Sequence, residues 1–92
     1  MASGTYGAKA NVSGATSSTT ILAANNARTG ALIWNDSSAI LYLDLTGGTA
    51  TSTSCSVKMA PDKLYEVPYY YTGLITGIWA SATGAARVTE FS

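Results

Sequence analysis

The sequence predicts an all-β protein: a small antiparallel β-sandwich, jelly-roll-like, over residues 18–92, preceded by a flexible N-terminal arm over residues 1–17. Three observations carry this. Short apolar runs recur about every 8–12 residues between clusters of turn residues, the spacing of a sandwich or small barrel. No segment sustains a 3.6-residue apolar period, so helix should be minimal. The stretch Gly30 to Leu45 sets two apolar runs around Asn35-Asp36-Ser37-Ser38, the sequence form of a β-hairpin with a short loop.

Taken in order, residues 1–17 are rich in Gly, Ala, Ser, Thr and Asn, with Tyr6 and Val12 as the large apolar side chains past Met1. Such a segment buries too little surface to order itself, so it reads as a flexible arm, or as one that orders only against a neighbour. Thr19 to Ala23 is the first expected strand. Asn25 to Gly30 is a loop, with Asn and Gly available for positive φ. Ala31 to Asn35 and Ala39 to Leu45 are the two arms of the hairpin, and Thr46-Gly47-Gly48-Thr49 ends it. Ser54 to Ala60 is a strand closed by Pro61, since proline cannot continue a ladder. Leu64 to Val67 stops at Pro68. Leu74 to Ala80 follows, with Gly77 inside it as a candidate bulge. Thr83-Gly84 turns into the last strand, Ala86 to Phe91.

Alternation assigns faces. Leu41, Leu43 and Leu45 share one side of their strand, and Cys55, Val57 and Met59 share one side of theirs. Both sides are expected in the core. Ile40 and Tyr42, on the opposite side with Asp44, form a second apolar surface. It would meet another sheet, another subunit, or water at its Asp44 end.

The chain has 92 residues, one cysteine and no histidine. A domain this small buries only roughly 60–65% of its unfolded surface, and small proteins without staples often gain stability by assembling. An intrachain disulfide is impossible, and structural zinc has too few ligands. Charged residues are 11% of the chain, and five basic side chains balance five acidic ones. The basic footprint of a nucleic-acid binder is therefore missing. So sparse a charge fits a surface partly covered in its working state, or one solvated by Ser, Thr and Asn. No signal peptide is visible at the N-terminus, and no apolar run approaches the length of a membrane helix.

No enzyme is expected. Without histidine, Ser-His-Asp and Cys-His arrangements cannot form. Asp36, Asp44, Asp62, Glu66 and Glu90 come from separate segments and lack the spacing of a calcium loop. Gly47-Gly48 lacks the Lys of a phosphate loop. No cofactor or metal is expected. The aromatics remain. Tyr69-Tyr70-Tyr71 cannot all face one core from an extended segment, so at least one should be exposed or covered by a partner. Trp34 and Trp79 fit either core packing or a sugar-stacking platform. The candidate interface residues are Tyr6, Ile40, Tyr42, Tyr69, Tyr70 and Tyr71.

Several segments, read in order, resemble a group of small tailed-phage virion proteins. They begin with Ile21-Leu22-Ala23-Ala24-Asn25, followed by Arg28 and Gly30, and continue with Ile33-Trp34-Asn35-Asp36-Ser37 and Leu41-Tyr42-Leu43. Val57-Lys58-Met59-Ala60 and Tyr65-Glu66-Val67-Pro68 come next. Tyr71-Thr72-Gly73, Gly77-Ile78-Trp79-Ala80 and Ala86-Arg87-Val88-Thr89-Glu90 complete the match. It spans about Thr19 to Glu90 and leaves residues 1–17 outside. The resemblance implies a β-sandwich that decorates and reinforces a capsid as a cement protein. Its partner would be the assembled major capsid protein, its state a homotrimer and its location the virion surface. The alternative is a neck, tail or fibre component, or a carbohydrate-binding module. Neither nucleic acid nor membrane is an expected partner.

Overall fold

Each apolar run of the chain becomes one strand because alternate residues can reach a shared core while the rest stay outside. The computed structural model describes residues 7–92. The strands are β1 (Gly7–Ser13), β2 (Thr19–Leu22), β3 (Gly30–Asp36), β4 (Leu41–Asp44), β5 (Val57–Met59), β6 (Leu64–Val67), β7 (Ile75–Trp79) and β8 (Ala85–Phe91). No helix occurs among the described residues. One sheet has the order β1-β8-β3-β6, the other β2-β7-β4-β5, and every pairing is antiparallel. We call them sheets A and B.

The pairs β1·β8, β2·β7, β3·β6 and β4·β5 are nested, first strand with last and inward to the middle. They are the pairs of one long hairpin. Rolling that hairpin up adds β3·β8 and β4·β7, which close the two sheets. This is a jelly roll, the sandwich the alternation predicts.

The core lies between the sheets. Sheet A contributes Ala31, Ile33, Val67, Ala86 and Val88. Sheet B contributes Ile21, Leu41, Leu43, Met59, Ile75 and Trp79. Gly77 faces the same core. A Cβ there would lie 2.9 Å from Ile21 Cγ1 and 3.1 Å from Leu41 Cδ1. Its missing side chain is space that two neighbours fill. The bulge expected at Gly77 sits across the ladder instead, on β2, where the register shifts between Thr20 and Leu22.

The expected hairpin from Gly30 to Leu45 is corrected. β3 and β4 do not pair; they belong to different sheets. Asn35 explains the change of sheet. It continues the inward row Ala31-Ile33-Asn35 and is fully buried. Its Nδ2 donates to the carbonyls of Ala39 (2.8 Å), Ala60 (3.1 Å) and Met59 (3.2 Å). Its Oδ1 accepts from Ser37 Oγ and from the Trp79 indole. The polar group read as a hairpin turn is a corner, built around one amide that satisfies the backbone crossing between layers.

The flexible arm is corrected over Gly7–Ser13. These residues form β1 and pair with β8 along their whole length, from Gly7 with Phe91 to Ser13 with Ala85. A ladder needs backbone groups, not large side chains, and apolar content alone misses it. Val12 is half-buried, while Ala8 and Ala10 stay exposed. The loop after β1 is also tied down, with Gly14 N–H donating to the Gly84 carbonyl and Trp79 N–H to that of Ala15. Residues 1–6 of the expected arm, Tyr6 included, lie outside the described residues.

Cys55 is also corrected: it is exposed, not core. β5 begins only at Val57, so the alternation that buries Met59 does not reach back to Cys55. Cys55 belongs to the loop over residues 45–56, which folds across the outer side of sheet B. There Asp44 accepts from Thr46 Oγ1 and from Gly48 N–H, and Thr76 Oγ1 donates to the Gly48 carbonyl at 2.7 Å. Asp44 and Thr76 are buried on a side that would otherwise face water.

The sandwich has two ends. Gly7, Gly30, Val67 and Phe91 mark one, together with the loops over residues 23–29, 45–56 and 68–74. Ser13, Asp36, Leu64 and Ala85 mark the other, with the loops over residues 14–18, 37–40, 60–63 and 80–84.

Candidate interaction surface

At the first end, one arginine organises three segments. The Arg28 side chain is fully enclosed, and its Nε lies 2.7 Å from Glu90 Oε2. Its Nη1 donates to the carbonyls of Tyr71 (3.2 Å) and Gly73 (3.1 Å), and its Nη2 to that of Ala23 (2.6 Å). A buried guanidinium is tolerable only when its fork of donors is met in this way. The result clamps the loop after β2, the loop after β6 and the end of β8 together.

The clamped loop carries the tyrosines. Tyr71 folds inward, packs against the core and donates its hydroxyl to the Leu74 carbonyl. Tyr69 and Tyr70 project outward, 76% and 77% exposed, with their rings edge to face at 5.6 Å between centroids. Burial, then the neighbouring Tyr70, raises the Tyr65 phenol above its ordinary value. Beside Tyr69, a surface groove of about 620 Å³ runs between Leu32, Glu66, Pro68 and Phe91.

The outer side of sheet A continues from this groove toward the other end. Register places Leu32 and Trp34 of β3 beside Glu66 and Leu64 of β6 on one flank, and beside Thr89 and Arg87 of β8 on the other. Trp34 is 39% exposed and Leu64 63%. Trp34 is therefore a surface residue. Trp79 is the core tryptophan, and the two do not form a shared platform.

The predicted interface residues thus separate. Tyr69 and Tyr70 are exposed on the clamped loop, and Tyr71 is not. Tyr42 is half-buried on the outer side of sheet B, where it pairs with Ile78 and Lys58, and Ile40 is half-buried in the loop just before β4. Thr16 and Ser52 lie against the same shallow surface. The structure does not bring this pair together with the tyrosine loop.

The carboxylates are dispersed too. Asp36 pairs with Arg87, Asp44 caps its own turn, Asp62 holds Trp34, Glu90 meets Arg28, and Glu66 lines the groove. No cluster of three His, Cys, Asp or Glu side chains able to hold a metal occurs among the described residues. No helix among them is long and apolar enough to cross a membrane.

Sequence reasoning missed the roles of Arg28, Asn35 and Leu64. Asn35 had a signal: it extends the inward row Ala31-Ile33. Arg28 had a weaker one, as the lone charge in a loop of a chain with few charges. Comparison with family models, with curated proteins and with solved structures gives no match to this chain.

Proposed function

We propose that this chain is a virion structural protein of a tailed phage, which decorates the capsid surface and stabilises it by binding the assembled lattice of the major capsid protein. It acts by binding, without catalysis. The observation that carries this reading is the pair Tyr69 and Tyr70, three-quarters exposed on a loop that the buried Arg28 holds in place. Large aromatic rings on a preorganised loop are strong anchors, because little conformational freedom is lost when they are covered. The partner is taken from the resemblance of the ordered segments, Ile21 to Glu90, to small tailed-phage virion proteins. A protein that binds the assembled shell and not its free subunits stabilises the shell by mass action. A homotrimer is proposed with it, since three linked contacts raise avidity without any new chemistry.

The experiment adds purified protein to capsids stripped of accessory proteins and follows cosedimentation and heat resistance. Saturable binding and a raised shell disruption temperature are expected. Tyr69→Ala with Tyr70→Ala should leave the thermal melt of the free protein unchanged and weaken binding at least tenfold. Labelling of a neck or tail structure, with none on the shell, would move the protein there and overturn the capsid assignment.

A further inference from the structure

The end of sheet A opposite the tyrosines carries a second arrangement. A shallow groove of about 400 Å³ lies between Leu32, Trp34, Asp62, Leu64, Arg87 and Thr89. The Trp34 indole N–H donates to Asp62 Oδ1 at 3.0 Å, which fixes the ring across the outer side of the sheet. Asp62 is itself held in the left-handed region, with φ 65°, and its N–H donates to the Asn35 carbonyl. A turn anchored to the buried corner thus positions the acceptor that positions the ring. Arg87 bonds Asp36 through Nε at 3.0 Å, which leaves its two terminal nitrogens as donors. Asp62 keeps Oδ2 as an acceptor, and Thr89 adds a hydroxyl on the same row.

From this geometry we infer a binding site for a neutral hexopyranose, such as a terminal sugar of a cell-surface glycan. A pyranose has an apolar C–H side and hydroxyl edges. The first suits the fixed indole and Leu64, and the second suits one carboxylate, one guanidinium and one hydroxyl at the rim. Charge selects against acidic sugars. Arg87 is already paired with Asp36, and Asp62 adds a negative charge, so no net positive field remains to hold a carboxylate. The site does not rest on the capsid reading: Leu32 lines both grooves, but neither Tyr69 nor Tyr70 lines this one.

The test is a nitrogen-15 spectrum of the full chain, which has one indole N–H from Trp34 and one from Trp79. The methyl β-glycosides of glucose, galactose and N-acetylglucosamine are titrated in turn, with glucuronate and a polyproline peptide as comparison arms. At least one glycoside should shift the Trp34 indole and the Leu32, Leu64 and Thr89 amides saturably, with Kd on the order of 1 mM. The Trp79 indole should stay still. Trp34→Ala should abolish the amide shifts with an unchanged melt, and Asp62→Asn should weaken them several-fold. The Tyr69→Ala, Tyr70→Ala variant should bind sugar normally, so loss of the capsid reading would leave this one standing. Absence of a saturable shift with all three glycosides, equal shifts in Trp34→Ala, or shifts with the peptide or glucuronate alone would overturn it. Should Trp34→Ala not fold, the contrast between the two indoles in the wild-type protein decides.

Discussion

The Arg28 guanidinium and the Glu90 carboxylate, 62 residues apart in sequence, meet at 2.7 Å with no part of the Arg28 side chain exposed. The pair joins the loop after β2 to the last strand. Arg28→Met removes the charge and leaves three loop carbonyls without donors. A loss of about 3–5 kcal/mol is expected from urea unfolding. Hydrogen exchange should rise first in the loops over residues 23–29 and 68–74. Glu90→Gln, whose position is partly solvated, should cost less.

The Asn35 amide invites a sharper test. Asn35→Ala leaves the Trp79 indole and several corner carbonyls without their partner. Each buried polar group left unmet costs about 1–3 kcal/mol. Asn35→Asp is expected to be worse, because it turns an oxygen toward the Ala39, Met59 and Ala60 carbonyls. Near-ultraviolet circular dichroism of Trp79 reads both. A wild-type spectrum and melt in Asn35→Asp would remove the corner role.

Core packing gives a matched pair of changes in opposite directions of size. Leu43→Ala empties a fully buried site on β4 and should cost about 2–5 kcal/mol. Gly77→Ala adds a methyl between Ile21 and Leu41 and should cost roughly 1–3 kcal/mol through overpacking. Calorimetry separates them. An unchanged melting temperature for Leu43→Ala would mean that its side chain does not face the core.

Tyr65 sets an alkaline limit. Its phenol is raised above the ordinary value near 10, so the folded state holds that proton more tightly than the unfolded state. The contribution to stability is fully present below pH 10 and is lost as pH rises through the raised value. The urea midpoint should fall over that alkaline range, and Tyr65→Phe should flatten the fall. The phenolate absorbance lost in Tyr65→Phe, taken as a difference from the wild-type titration, should rise above pH 10.

Removal of residues 1–13 tests β1. The truncated chain would expose the β8 edge, a row of unpaired backbone groups. Light scattering should show association, and β8 amides should lose exchange protection. A monomeric truncated protein with protected β8 amides would show that β1 contributes nothing to the sheet.

Seven strands were legible in the sequence, because their side chains alternate between core and exterior. Leu64–Val67 coincides with its expected bounds. β1 was not legible, since Ala8, Ala10 and Lys9 pair through the backbone alone. The layer change between β3 and β4 was hidden for another reason. Alternation tells which residues face inward and not which sheet they enter, and a tight turn and a corner can share the residues Asn35 to Ser38. Exposure of at least one of Tyr69, Tyr70 and Tyr71 could be read, because three consecutive tyrosines cannot share a side, but that Tyr69 and Tyr70 are the exposed pair could not. Trp34 could not, since a tryptophan among Leu32 and Ile33 has the composition of a core.

The nested order of the strands also governs how the chain comes together in time. Of the described strands, β1 comes first in the chain and its partner β8 last, and β2 likewise waits for β7. Among the described strands, only β4 and β5 find each other across a single loop. Loop closure favours pairing outward from the middle of the sequence, and the long-range pairings should make folding slow for a protein of this size. Until β8 arrives, the early strands wait with open edges. β1, with Val12 as its one large apolar side chain, is well suited to that wait, because it offers a misplaced neighbour little apolar surface to hold.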